Sequence, residues 1–257
     1  MERLRQESVS YTNLAELMRW FELKGLGASS QKVYLSAIKH SNPDAFPKAL
    51  QDKLNELYTE QNKRDTTQVL TETQQERFVR WTDVQKAYSS FRPTNILEWR
   101  TFLIMSLYML QPPVRADYGE MRIFPKYDKK RTGNELIWNK SPVFVFRDYK
   151  TAKTYGEVKI PVSKALQDVI RDWFERLGMM PSHLLGDAVS PNTFAVTVAR
   201  TFKKLLGQEF GVSMLRHSYI THMFPKLKSI KQKEDLAKKM LHSRDLQEKY
   251  ISLKDME

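Results

Sequence analysis

The sequence predicts a mostly α protein with a small antiparallel sheet, an α+β chain in two parts. Three observations carry this. Apolar residues recur at helical spacing through the first and last thirds of the 257 residues. Strand-like runs occur only in the middle, at VFVFRDY (143–149) and EVKIPV (157–162). Chain breakers are sparse, 9 Gly and 11 Pro, and fall between the periodic segments rather than inside them.

In order along the chain, Leu14, Leu17, Met18 and Phe21 share one helical face. Asn13 is a candidate cap, and Gly25 and Gly27 are stops. A second helix from Ser29 or Ser30 places Val33, Tyr34, Ala37 and Ile38 together, and a third follows Pro47 with Leu50, Leu54, Leu57 and Tyr58. Residues 61–75 are polar and poor in apolar side chains, which suggests a linker. The expected organisation is a helical domain over 1–62, a linker over 63–78 and a second domain over 79–257. That second domain opens with helices over 81–91 and 96–111, then strands over 135–139, 143–149 and 157–162. The turn KTAKTYG lies between the last two strands. Helical patterns return over 163–177, with Gly178 and Pro181 beyond, and from Ser190–Pro191 to Leu206, stopped by Gly207. Three short helices are expected near 213–224, 232–241 and 245–252.

Composition narrows the function. Forty-two Lys and Arg against 30 Asp and Glu leave a net charge of +12. Such an excess favours a polyanion, because each phosphate contact releases counterions from nucleic acid. There are no cysteines, which excludes disulfides, thiolate zinc sites and thiol catalysis. Their absence fits a reducing, intracellular location, cytoplasmic or nuclear. The opening MERLRQESVS has no apolar core of the kind a secretory leader needs. The most apolar stretch, 101–110, is too short to span a bilayer. The basic run KYDKKR (126–131) reads as a solvated loop or an import patch. His217 and His222 are five apart, not the i, i+4 pair that binds metal on a helix, so no metal or cofactor is expected.

Five residues carry candidate chemistry. Arg115 follows a buried helix broken by Pro112 and Pro113, and taken alone it reads as an ion pair with Asp117 or Glu120. Lys150 falls at the tip of the hairpin with Lys153 nearby, where an ammonium can reach a DNA phosphate. Arg216 and His217 lie among Val212, Leu215, Tyr219 and Met223, a buried setting that is costly unless the charge is paired or at a site. His242 and Tyr250, in MLHSRDLQEKYIS, mean little in isolation.

Together and in this order, these features resemble the tyrosine recombinase, or phage-type integrase, family. Arg115 matches the family's first arginine. YKTAKTYGEVKIPV resembles its β-hairpin, with Lys150 at the lysine position. LRHSYIT resembles the second-arginine box, with Arg216 as the arginine. LHS resembles its L-G-H-S segment, giving His242, and Tyr250 falls at the nucleophile. The resemblance covers roughly residues 80 to 252, and the N-terminal helices resemble a shortened core-binding domain. PPVRADY and the compact N-terminal part are similar to integrases of virophages and large DNA viruses. Three departures stand out. Ser213 replaces the His or Lys that opens the arginine box, and it cannot act as a charged base. His242 and Tyr250 are eight apart, one fewer than usual. Tyr118 stands where the family often has a carboxylate, leaving Asp117 or Glu120 to orient Arg115.

The resemblance implies an enzyme that cuts and rejoins double-stranded DNA through a 3′-phosphotyrosine, as a homotetramer on DNA and without metal. In it Arg115 and Arg216 clamp the phosphate, Tyr250 attacks and Lys150 protonates the leaving 5′-oxygen. His242 donates to a non-bridging oxygen or positions Tyr250, and His217 supports the site from behind. The two helical parts would clamp the duplex, and only seven residues follow Tyr250, leaving no long C-terminal exchange helix. Two alternatives share the fold: a type IB topoisomerase, and a non-catalytic DNA-binding protein. An unrelated basic RNA binder lacks a stacking-aromatic motif.

Overall fold

The computed structural model describes residues 9–10, 12–67, 70–242 and 251. The chain divides into two compact units, Met1–Thr67 and Gln68–Glu257.

Among the described residues the first unit contains three helices: α1 (Leu14–Leu23), α2 (Ala28–Ser41) and α3 (Lys48–Thr67). Asn13 caps α1, its side chain accepting from the Glu16 amide. Gly25, at φ +60°, ends that helix in a left-handed turn closed by Leu26 N–H to Phe21 O at 2.9 Å. Leu17, Trp20, Phe21, Leu35, Ile38, Leu50, Leu54 and Leu57 form the core. Val33 does not join it and is 66% exposed, with Leu35 buried instead. Tyr34 and Ile38 of α2 face the core as expected. Part of the stretch read as a linker is helical. α3 continues to Thr67, and α4 (Glu72–Glu76) carries a reciprocal cap between Thr71 and Gln74. Lys, Glu and Gln favour helix without any apolar stripe, so hydrophobic periodicity does not reveal these turns.

The second unit continues with α5 (Trp81–Ser90) and α6 (Ile96–Met109). A four-stranded sheet follows, in the order β1 (Arg122–Phe124), β2 (Glu135–Ile137), β3 (Val143–Phe146), β4 (Val158–Pro161). It is mixed rather than wholly antiparallel, since β1 pairs parallel to β2. β1 is three residues long, too short to show a period of two. A single helical turn, α7 (Ala152–Tyr155), sits between β3 and β4. Then come α8 (Lys164–Leu177), α9 (Pro191–Leu206), α10 (Val212–Met223), a 3-10 turn (Phe224–Lys226) and α11 (Ile230–Lys239). Ser163 and Ser190 cap α8 and α9, and Gly178 and Gly207 end them in left-handed turns. The helix expected over 245–252 lies outside the described residues apart from Ile251.

The main core joins α5, α6, the sheet, α8 and α9 through residues such as Leu103, Tyr108, Phe144, Ile170, Phe194 and Phe202. A smaller cluster of Ile220, Leu236, Met240 and Ile251 packs α10 against α11. No helix among the described residues is long and apolar enough to cross a membrane.

Candidate active site

α10 is buried on nearly every face: Met214, Leu215, Arg216, His217, Ser218, Ile220 and Thr221 are all covered. A helix so placed positions its polar side chains rigidly. Arg216 is 1% exposed, and its Nη1 donates to the carbonyls of Pro113 and Met240, both at 2.9 Å. Met240 is the C-cap of α11. The guanidinium therefore faces the negative end of a helix dipole, which offsets part of the cost of burying it. Ser213, one turn earlier on α10, is exposed, and His217 is buried.

Arg115 approaches the same helix end. Behind it, the Tyr108 hydroxyl donates to the Arg115 carbonyl at 3.0 Å and fixes the backbone after the two prolines. In front, Arg115 Nη1 donates to the Leu241 carbonyl at 3.3 Å. Arg115 makes no ion pair with Asp117 or Glu120 within 4 Å among the described residues, so the simple pairing expected from sequence does not form. Leu241 has φ 56°. His242 N–H reaches Ala237 O and Leu241 N–H reaches Lys238 O, both at 3.1 Å, the bonding of a left-handed helix stop that glycine usually occupies.

His242 follows directly and is 4% exposed. Burial, reinforced by the positive charges of Arg216 and Arg115, pushes its imidazole down to about 3. A ring held that low is neutral at pH 7.

Lys150 is exposed, but the loop that carries it is tied down. It lies before α7, in a connection from 147 to 157 rather than at the tip of a tight hairpin. The Tyr149 hydroxyl donates to Gly156 O at 2.7 Å and closes the loop at its base. Thr151 Oγ1 donates to the Leu241 carbonyl at 3.3 Å, the oxygen that Arg115 also uses. Lys153 is exposed on α7.

A cleft of about 530 Å³ lies beside this cluster. Asp117, Glu120, Arg122, Asp148, Lys150 and His183 are among its lining residues. Burial raises Asp117 to about 6, against the pull of Arg115 and Arg216. Glu120 is exposed and borders the cleft. Tyr118 is wholly buried among Phe144 and Phe146 and accepts from Gln111 Nε2 at 2.7 Å. It belongs to the core, not the site. Gly119 between them is required by space: a Cβ there would lie 2.2 Å from the Val189 carbonyl oxygen.

The structure thus brings Arg115, Arg216, His242 and the Lys150 loop to one helix end, with Asp117 beside them. Tyr250 lies outside the described residues; Ile251, next in sequence, is buried against Ile220, Leu236 and Met240. Sequence reasoning missed Leu241, Thr151 and Asn134, and the only signals were a turn-like GN at 133–134 and an ordinary leucine before His242. Among the described residues no group of three or more His, Cys, Asp or Glu side chains is placed to hold a metal ion.

No protein-family model matches the chain, and no curated protein matches it by sequence. Among solved structures it is similar to a XerA recombinase at 14% identity, over 95% of this chain and 79% of that one, with a TM-score of 0.46. It is also similar to the XerH site-specific recombinase bound to difH substrate in a pre-cleavage complex, at 12% identity over 85% and 66%, TM-score 0.44. XerH on a palindromic difH substrate, post-cleavage, aligns at 13% identity over 89% and 69%, TM-score 0.43.

Proposed function

We propose that the chain is a site-specific DNA recombinase that cuts and rejoins duplex DNA through Tyr250. The observation that carries this reading is the meeting of Arg115, Arg216 and His242 at one helix end, with the Lys150 loop tied to the same Leu241 carbonyl. Two guanidiniums with a neutral imidazole near both suit a phosphodiester. The planar forks neutralise its oxygens and never lose their own charge.

In the proposed cleavage, Tyr250 Oη attacks the phosphorus and the P–O5′ bond breaks. The phenol proton passes to His242, whose basicity rises as the phosphate enters between the arginines. The Lys150 ammonium gives its proton to the departing 5′-oxygen. The products are a 3′-phosphotyrosine and a free 5′-hydroxyl. Rejoining runs the same steps backwards, so bond energy is kept in the covalent link and no metal or cofactor takes part. Each well-aimed arginine donor contributes about 3–4 kcal/mol to the pentavalent transition state. Asp117 would orient Arg115, with Glu120 at the cleft edge, while His217 and Ser213 would support the second arginine. Lys153 would add a phosphate contact beside Lys150. Four copies on two DNA sites would complete the exchange, as in the integration of a mobile or viral element.

Nicked suicide duplexes carrying sites selected by binding test this reading. A covalent protein–DNA adduct is expected on a denaturing gel, and Tyr250→Phe should abolish it. A site that is bound yet never yields an adduct would leave a non-catalytic DNA-binding protein. Supercoil relaxation without any joining of paired sites would instead support a type IB topoisomerase.

A further inference from the structure

Asn134 sits where β2 begins, with its backbone carbonyl accepting from the Arg122 amide of β1 at 3.1 Å. Its side chain spends its full hydrogen-bonding capacity on backbone groups. Nδ2 donates to the Asp117 carbonyl at 3.1 Å and to the Asp148 carbonyl at 2.8 Å. Oδ1 accepts from the Arg147 amide at 2.9 Å and the Asp148 amide at 3.0 Å. Two amides on one side and two carbonyls on the other also fix which way the group points. Asp117 lies two residues after Arg115, and Asp148 two residues before Lys150. One amide group therefore ties the arginine segment to the lysine loop, across the cleft that Asp117, Asn134, Asp148 and Lys150 all line.

We propose that Asn134 is a positioning residue, which sets the reach of the Lys150 ammonium relative to the phosphate held by Arg115. This rests on the recombinase reading above, in which Lys150 protonates the leaving oxygen. Proton transfer requires the donor within hydrogen-bond reach, and a displacement of about 1 Å can cost about a hundredfold in rate. Asp148 is gripped at both its N–H and its C=O, so its peptide planes cannot rotate while Asn134 holds. Thr151 fixes the far side of Lys150 against Leu241. Losing Asn134 frees the near side of the lysine loop and one carbonyl of the Asp117 segment, while Arg115 and Arg216 keep their own bonds to the Leu241, Pro113 and Met240 carbonyls.

The test compares a nicked duplex carrying a binding-selected site with the same duplex holding sulfur in place of the bridging 5′-oxygen. A thiolate leaves without a proton, so it makes a general acid unnecessary. Full-length Asn134→Asp keeps the two accepting contacts but turns both donated ones into repulsion between oxygens. Asn134→Ala removes all four. With the oxygen substrate, both variants are expected to form adduct about ten- to a hundredfold more slowly than wild type. With the sulfur substrate they should come within about threefold of wild type, as Lys150→Ala should. A variant that binds DNA but stays slow on both substrates, while Lys150→Ala is rescued, means Asn134 is merely structural and overturns the proposal. So does a wild-type rate in both variants. If wild type forms no adduct on either substrate, the recombinase reading fails first, and that result is distinct from the other two.

Discussion

Arg115 and Thr151 donate to the same oxygen, the Leu241 carbonyl, each at 3.3 Å. The oxygen is available because Leu241 is left-handed, at φ 56°, which turns its carbonyl away from the α11 axis and into the site. A leucine in this conformation carries local strain of roughly 1–2 kcal/mol. The fold tolerates it because the side chain is buried in the main core. A helix stop thus aligns the phosphate clamp, the lysine loop and His242 at once.

Replacing that leucine sets the two terms against each other. Leu241→Gly removes about 1–2 kcal/mol of backbone strain, but emptying a buried leucine site costs about 2–5 kcal/mol. Burial should win, leaving the variant about 1–3 kcal/mol less stable in denaturant unfolding. A glycine variant more stable than wild type would mean that strain dominates at this turn.

Asp117 predicts a trade between stability and activity. Its carboxyl lies at about 6 in the fold against 3.8 for the free group. The folded state therefore binds more protons between those values. Stability is greatest below about 3.8 and is lost as pH rises through about 6. At pH 7 the ionised carboxylate opposes folding by at most about 3 kcal/mol, less where the cleft admits water. Asp117→Asn should raise the melting temperature at pH 7, with the gain fading near pH 4, while adduct formation slows because Arg115 loses the longer-range electrostatic pull of that carboxylate. Melting curves at the two pH values decide it; equal gains at both would remove the carboxylate from the account.

His242 has the opposite sign. Its folded value of about 3 lies below the ordinary 6.5, so the unfolded chain takes up the proton first. The contribution is full above about 6.5 and is lost as pH falls towards 3. In nitrogen-15 spectra the His242 ring should stay neutral from pH 8 down to 5, and His242→Gln should flatten the acid side of the stability curve. A ring that titrates near 6.5 in the free protein would show that neither burial nor the two arginines hold it down.

Much of this was legible in the sequence, and the remainder has physical reasons. Asn13, Ser163 and Ser190 mark helix starts because a side-chain oxygen beside a free amide is a local event. The burial of Arg216 followed from its apolar neighbours on α10. The hidden features depend on contacts distant in sequence. Asn134 meets Asp117 and Asp148 only once β1 and β2 have paired, and as a lone turn amide it has no pattern. Leu241 gives no warning of a left-handed turn, since glycine is the residue that ordinarily announces one. β1 is too short for alternation, and on α2 Tyr34 and Ile38 face the core as expected while Leu35 takes the place expected of Val33.

Gly119 lies between Asp117 and Glu120, where the chain passes against Val189 and Phe194. An added methyl would meet a backbone oxygen at 2.2 Å, and backbone cannot rotate aside as a side chain can. Gly119→Ala should cost about 1–3 kcal/mol and should also disturb the Asp117 segment. Thermal unfolding measures the first effect, and an unchanged melting temperature would contradict the close approach.

Arg216 offers the sharpest test of what the buried charge does. Its Nη1 is occupied by the Pro113 and Met240 carbonyls, so one arm of the fork holds the protein together. Arg216→Lys keeps the charge but supplies a single nitrogen in place of a planar fork. That nitrogen can satisfy the carbonyls or turn toward a phosphate, but it cannot span both as the fork does. Adduct formation should therefore fall about a hundred- to a thousandfold, the scale for losing one aimed donor in the transition state. DNA affinity should fall far less, since one phosphate contact among many sets only a small part of it. Arg216→Ala should in addition destabilise the fold, because the Pro113 and Met240 carbonyls then stay buried without their donor. Comparing cleavage rate, affinity and melting temperature for the two variants separates these effects. If the lysine variant cleaves at the wild-type rate, Arg216 serves only to join α10 to the end of α11, and the clamp would have to be sought elsewhere.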